Sequence, residues 1–152
     1  MNESESIVQR PDWPHYFMAM AQVASARATC PRRAVGALLV RGNRVLTTGY
    51  NGSPSGWPDC LSDGCLMIND HCERTIHAEL NTVITAAKHG VSTQHATLYV
   101  SGASPCHRCA LLIAQAGIDR VVFDVDYTND AGIQLLEAHG VEVIRLSTEP
   151  NL

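Results

Sequence analysis

Apolar residues Phe17, Met20, Ala21 and Ala24 recur at helical spacing and predict an amphipathic helix over 13–28. Asp12 ahead of Trp13-Pro14 supplies its start signal, and Pro31 lies beyond its end. The pattern then changes to short, nearly continuous apolar runs. "AVGALLV" (34–40) and "RVLTTGY" (44–50) predict two strands, with Gly42-Asn43 as the tight turn of a hairpin. Residues 51–70 show no periodicity and contain Gly52, Pro54, Gly56, Pro58 and Gly64. A loop of that length inside a small domain is expected to be functional or tied down.

Helical periodicity returns over 72–89 and stops at Gly90. The strand-like run "ATLYVSG" (96–102) follows, then a helix opened by Pro105 and ending near Gly117. "RVVFD" (120–124), "AGIQLLEAHG" (131–140) and "VEVIRL" (141–146) predict a strand, a helix and a last strand. The order α-β-β-α-β-α-β-α-β predicts an α/β fold in three layers, α/β/α, with helices on both faces of a five-stranded sheet. The hairpin makes two strands antiparallel, so the sheet is mixed.

With 152 residues, one domain spanning 1–152 is expected, with 1–12 as a loose polar lead-in. No run reaches the roughly 18 apolar residues of a membrane span, and the N-terminus does not read as a secretory signal. A cytoplasmic location is therefore expected. The net charge of −4 argues against binding a long nucleic acid, which requires a basic face. It leaves room for one nucleotide, held by one or two cations.

Six cysteines change the picture. In a reducing compartment, metal binding is the better expectation than disulfides. "SPCHRC" (104–109) sets Cys106 and Cys109 one turn apart at a helix start, where the dipole favours thiolates. His77, in "RTIHAEL" (74–80), supplies an imidazole for a tetrahedral zinc site whose fourth position is open to water. Zinc brings the pKa of its water toward ~7, giving hydroxide at neutral pH for a hydrolytic deamination. Glu79 is placed to take the proton and return it, first to a ring nitrogen and then to the leaving amine. His-x-Glu followed by Pro-Cys-x-x-Cys is the signature of zinc nucleobase deaminases. The competing reading is a purely structural zinc with Glu79 on solvated helix surface, which gives no reason for a carboxylate there.

Four stretches carry a closer resemblance: "TCPRRAVGALLV" (29–40), "GYNGSPSG" (49–56), "DGCLMINDHCERTIHAELN" (63–81) and "LYVSGASPCHRC" (98–109). Over 13–146 the chain resembles the deoxycytidylate (dCMP) deaminases of the cytidine deaminase-like superfamily, most closely bacterial and phage members such as the competence-operon deaminases. The departures are Thr82-Val83 and Ser101, none in a catalytic role.

The resemblance implies a cytidine deaminase-like fold and the hydrolysis of dCMP to dUMP and ammonia, supplying thymidylate synthesis. It implies His77, Cys106 and Cys109 as zinc ligands, Glu79 as proton shuttle and Asn51 as a sugar contact. It also implies a homo-oligomer, hexamer or dimer, activated by dCTP and inhibited by dTTP with Mg²⁺ accompanying the effector. The effector loop would include Asn51, Gly52, Ser53 and Gly56. Arg27 aligns with a family arginine and is the expected phosphate ligand, in a cluster with Arg32 and Arg33 that could equally be solvated surface. Tyr127 either lines the pocket or is a half-buried aromatic.

A second, structural zinc occurs in some relatives. Here it would draw on Cys30, Cys60 and Cys72, with His71 or Cys65 as fourth ligand. Four of these flank the long loop; the alternative is that they are small core residues.

Overall fold

The computed structural model describes residues 10–147, so most of the expected lead-in, 1–9, lies outside the described residues. Helix α1 (Trp13–Ser25) begins where Asp12 accepts a hydrogen bond from the His15 backbone N–H at 2.9 Å. It stops short of the expected residue 28 because the N–H groups of Ala26, Arg27 and Ala28 bond three residues back, tightening the last turn. Strands β1 (Gly36–Arg41) and β2 (Arg44–Tyr50) form the expected hairpin. Gly42 and Asn43 both take φ of 57°, as a two-residue turn of this hand requires.

The stretch after β2 contains three very short elements: α2 (Cys60–Asp63), β3 (Met67–Ile68) and β4 (His71–Cys72). Then come α3 (Ala78–Lys88), β5 (Thr97–Ser101), α4 (His107–Gln115), β6 (Arg120–Phe123), α5 (Ala131–Ala138) and β7 (Glu142–Arg145). The main sheet runs β2-β1-β5-β6-β7. β1 is antiparallel to both neighbours, and β5, β6 and β7 are parallel, so the sheet is mixed as expected.

Strand alternation divides the core into two halves. Leu38, Val40, Tyr99 and Val122 face Phe17, Met18 and Ala21 of α1. Ala37, Leu39, Leu98, Val100, Val121 and Phe123 face the layer of α3, α4 and α5. Both faces of the central strands are thus covered, which is why they read as continuous apolar runs.

Two glycines set the helix positions that matter for the site. A Cβ on Gly49 would collide with Thr82 and the Ala78 carbonyl, so β2 draws the start of α3 against the sheet. A Cβ on Gly132 would strike the Pro105 and Cys106 carbonyls, so α5 presses on the turn before α4.

Candidate active site

Helix α3 does not begin at residue 72 as its periodicity suggests. The chain bends at 73–74 and stays non-helical through Ile76, which exchanges backbone hydrogen bonds with Gly52 at 3.0 and 3.1 Å. His77 is then the N-cap of α3, and Glu79 lies in its first turn. Cys106 is the N-cap of α4, one turn before Cys109. Two helix starts therefore meet, and His77 Nδ1 lies 3.5 Å from Cys106 Sγ and 3.4 Å from Cys109 Sγ. The expected three-donor group is assembled, with the ligand atoms within 4.8 Å of one another.

Glu79 is 4% exposed. Burial pushes its carboxyl up to about 7, against the pull of its own backbone N–H and of His77. Contact with the Cys109 thiol brings Cys106 down to about 3, helped by His77, while burial opposes the shift. Cys109 is pushed up, first by Cys106, then by burial and Glu79. His77 is raised chiefly by its contact with Cys106. Two sulfurs side by side do not both ionise without a cation between them. Two thiolates, one imidazole and a nearby carboxylate that is not a ligand fit Zn²⁺ with one coordination position open.

These groups open onto a cavity of about 280 Å³ that includes Glu79, His77 and Cys106. Asn51 lines it and is buried: its Nδ2 donates to the Arg33 carbonyl at 2.7 Å in a half-buried bond, and its Oδ1 accepts from the Val35 N–H at 2.8 Å in a buried one. One amide N–H and one lone pair of Asn51 are left for a ligand. Tyr127 also lines the cavity, its backbone N–H donating to Ser104 Oγ at 2.9 Å.

Arg27, expected at the phosphate, lies exposed beyond α1 and outside this lining; its neighbours Arg32 and Arg33 are in it. Asp70, Thr75 and Thr128 also line the cavity; the first two fall inside the stretch 63–81, where no local signal marks them apart from their neighbours, and Thr128 lies in none of the quoted stretches. Ser53 Oγ donates to the Arg74 carbonyl at 3.1 Å, and Gly56 takes φ of 81° in the same loop.

A second thiol cluster lies nearby. Cys60, Cys65 and Cys72 place their sulfurs within 4.8 Å of one another, with Cys60 Sγ 3.6 Å from Cys72 Sγ. Among the described residues, neither Cys30 nor His71 belongs to this group; both line the cavity instead, where the His71 ring lies 5.6 Å from that of His77. Although burial opposes it, the backbone N–H groups of Arg74 and Leu66 bring Cys72 to about 7. Cys60 in turn pushes Cys65 up to about 11. No helix among the described residues is long and apolar enough to cross a membrane.

Comparison with known proteins agrees with this geometry. The profile of the cytidine and deoxycytidylate deaminase zinc-binding region matches residues 11–125. ComE operon protein 2 of Bacillus subtilis is 46% identical over 137 residues, covering 90% of this chain and 72% of that one. The deoxycytidylate deaminase of Schizosaccharomyces pombe is 41% identical over 144 residues, but this chain spans only 44% of its length. The crystal structure of the cyanophage S-TIM5 dCMP deaminase in complex with dCMP and dUMP superposes with a TM-score of 0.81 at 32% identity, covering 91% of this chain and 99% of that one. With a profile match over most of its length and a site built from the residues that define the signature, the chain belongs to the cytidine and deoxycytidylate deaminase family.

Proposed function

We propose that this protein catalyses the zinc-dependent hydrolytic deamination of dCMP to dUMP, with release of ammonia. The observation that carries the reading is the three-donor group of His77, Cys106 and Cys109, which meets the cavity through His77 and Cys106 where the buried Glu79 also lines it. The cyanophage relative binds dCMP and dUMP, the substrate and product of this reaction.

Zinc, when bound by His77, Cys106 and Cys109, supplies the charge that makes a water acidic near neutral pH. Glu79, buried in the same cavity, would take one proton from the water and pass it to N3 of the cytosine ring as the water oxygen bonds to C4. It would then take the proton of the new C4 hydroxyl and pass it to the exocyclic nitrogen, so that the C4–N bond breaks, ammonia leaves and the C4 carbonyl of dUMP forms. Ile76 and the Gly52 bridge fix the segment entering α3, so Glu79 does not have to be ordered at each turnover.

The same bridge supports a regulatory role for the loop over Asn51, Gly52, Ser53 and Gly56. Its hydrogen bonds reach Arg74 and Ile76, the latter adjacent to His77. A dCTP activator or dTTP inhibitor, with Mg²⁺ on its phosphates, would act on the metal ligand through that link. Cys60, Cys65 and Cys72 are proposed to hold a second, structural zinc. Exposed Leu111 and Leu112 of α4 and Ile84 of α3 support assembly into a homo-oligomer.

Ammonia release tests the reading. The zinc-loaded protein is incubated with dCMP, CMP, deoxycytidine, dCTP and a short oligonucleotide, each with and without dCTP or dTTP as effector. Turnover of dCMP above the others is expected. Release from the oligonucleotide alone would replace a mononucleotide substrate with a polynucleotide one.

A further inference from the structure

We infer that Arg33, held against the Tyr127 ring at the rim of the catalytic cavity, is the residue that binds the substrate's 5′-phosphate. The inference rests on the dCMP reading above and names the group that distinguishes a nucleotide from a nucleoside.

The Arg33 guanidinium carbon lies 5.3 Å from the Tyr127 ring centroid, within the range of a cation–π contact. Both partners are anchored to the site. The Arg33 carbonyl accepts from Asn51 Nδ2, and Asn51 is buried in the cavity wall. The Tyr127 backbone is bonded to Ser104, itself buried and two residues before Cys106. The spacing between the metal-binding turn and the guanidinium is thus set by short, ordered connections.

Charge points the same way. The cavity lining carries the acids Asp70 and Glu79 and the cations Arg32 and Arg33. Among the described residues, the ion pairs are those of Asp12, Glu73, Asp119, Glu142 and Asp126, and none engages Arg32 or Arg33. Arg32 turns toward β3, its Nη1 3.4 Å from Met67 Sδ. Arg33 therefore presents a cation with no carboxylate partner, oriented by an aromatic face, beside the pocket that would receive the base. A planar guanidinium in that state suits bidentate binding of a phosphate.

Two other arginines are rivals. Arg27, exposed as Arg33 is, lies outside the lining. Arg108 lines an adjoining cavity of about 390 Å³ that shares His77, Cys106 and Tyr127 but lacks Glu79. A base placed against Glu79 occupies the first cavity, where Arg33 is.

The test compares kcat/KM for dCMP and for deoxycytidine in wild type, Arg33→Gln, Arg33→Lys, Arg27→Gln and Arg108→Gln, with calorimetric binding of dUMP to each zinc-loaded protein. Arg33→Gln should narrow the preference for dCMP over deoxycytidine by about 10- to 100-fold, mainly through KM, and weaken dUMP binding by a similar factor. Arg33→Lys should recover part of the loss, since it keeps the charge and loses the fork. An unchanged preference and dUMP affinity in Arg33→Gln, or a loss confined to Arg27→Gln or Arg108→Gln, would overturn the assignment. Failure of wild type to turn over either substrate would count against the dCMP reading, while dUMP binding would still report on Arg33.

Discussion

His77, Cys106 and Cys109 converge from the starts of two helices packed on the central sheet, whereas Cys60, Cys65 and Cys72 converge from a loop whose longest element is the four-residue α2. The donor chemistry is alike: in each group one sulfur is brought down in pKa and a neighbouring sulfur is pushed up. The surroundings differ. The first group has a carboxylate at 4% exposure beside it and meets the cavity through His77 and Cys106, whereas the second reaches the same cavity through Cys72 alone. The second has Thr75 Oγ1 at 3.4 Å from Cys60 Sγ and exposed Leu61, Leu66, Met67 and Ile68 around it. We propose that similar ligands serve reaction in one place and loop closure in the other; what separates the two groups is the buried acid beside the first.

Breaking the first group should have the largest effect. Cys106→Ser is expected to abolish dCMP turnover and remove one zinc per chain, read by elemental analysis. Glu79→Gln should lower kcat by roughly 10²–10⁴-fold with zinc content unchanged, since the acid moves protons and holds no metal.

Cys72→Ser sharpens the contrast. It should remove the proposed second zinc and lower stability by about 2–4 kcal/mol, as expected for releasing a cross-linked loop. That corresponds to a fall in Tm of roughly 5–15 °C, while turnover per folded molecule drops far less than in Glu79→Gln. The smallest effect is expected for Thr82→Val. This removes the hydrogen bond from buried Thr82 Oγ1 to the Ala78 carbonyl, 2.8 Å long, at about 1 kcal/mol by thermal unfolding, with kcat little changed.

The first group was legible in the sequence because its chemistry is concentrated in two short motifs, each at a helix start. The strands were legible because burial on both faces leaves continuous apolar runs. The start of α3 was misplaced because periodicity cannot register the tertiary bridge between Gly52 and Ile76, which keeps residues before His77 non-helical. Elements of two to four residues leave no period at all, although Asp59 and Ser62 do form the capping box that opens α2. Arg33 and Tyr127 meet only through the fold, so nothing local in either segment marks the pair. The same holds for the second cluster, where the spacing of the cysteines marked the loop but not which three sulfurs would meet.

The central claim is that Glu79, beside a zinc held by His77, Cys106 and Cys109, drives deamination of dCMP. Its most direct test is dUMP and ammonia formation from dCMP by wild type and Glu79→Gln at equal, measured zinc content. One ammonia per dUMP is expected from wild type, and a rate at least about a hundredfold lower from the variant. Equal rates from the two proteins, or no ammonia from wild type, would contradict it.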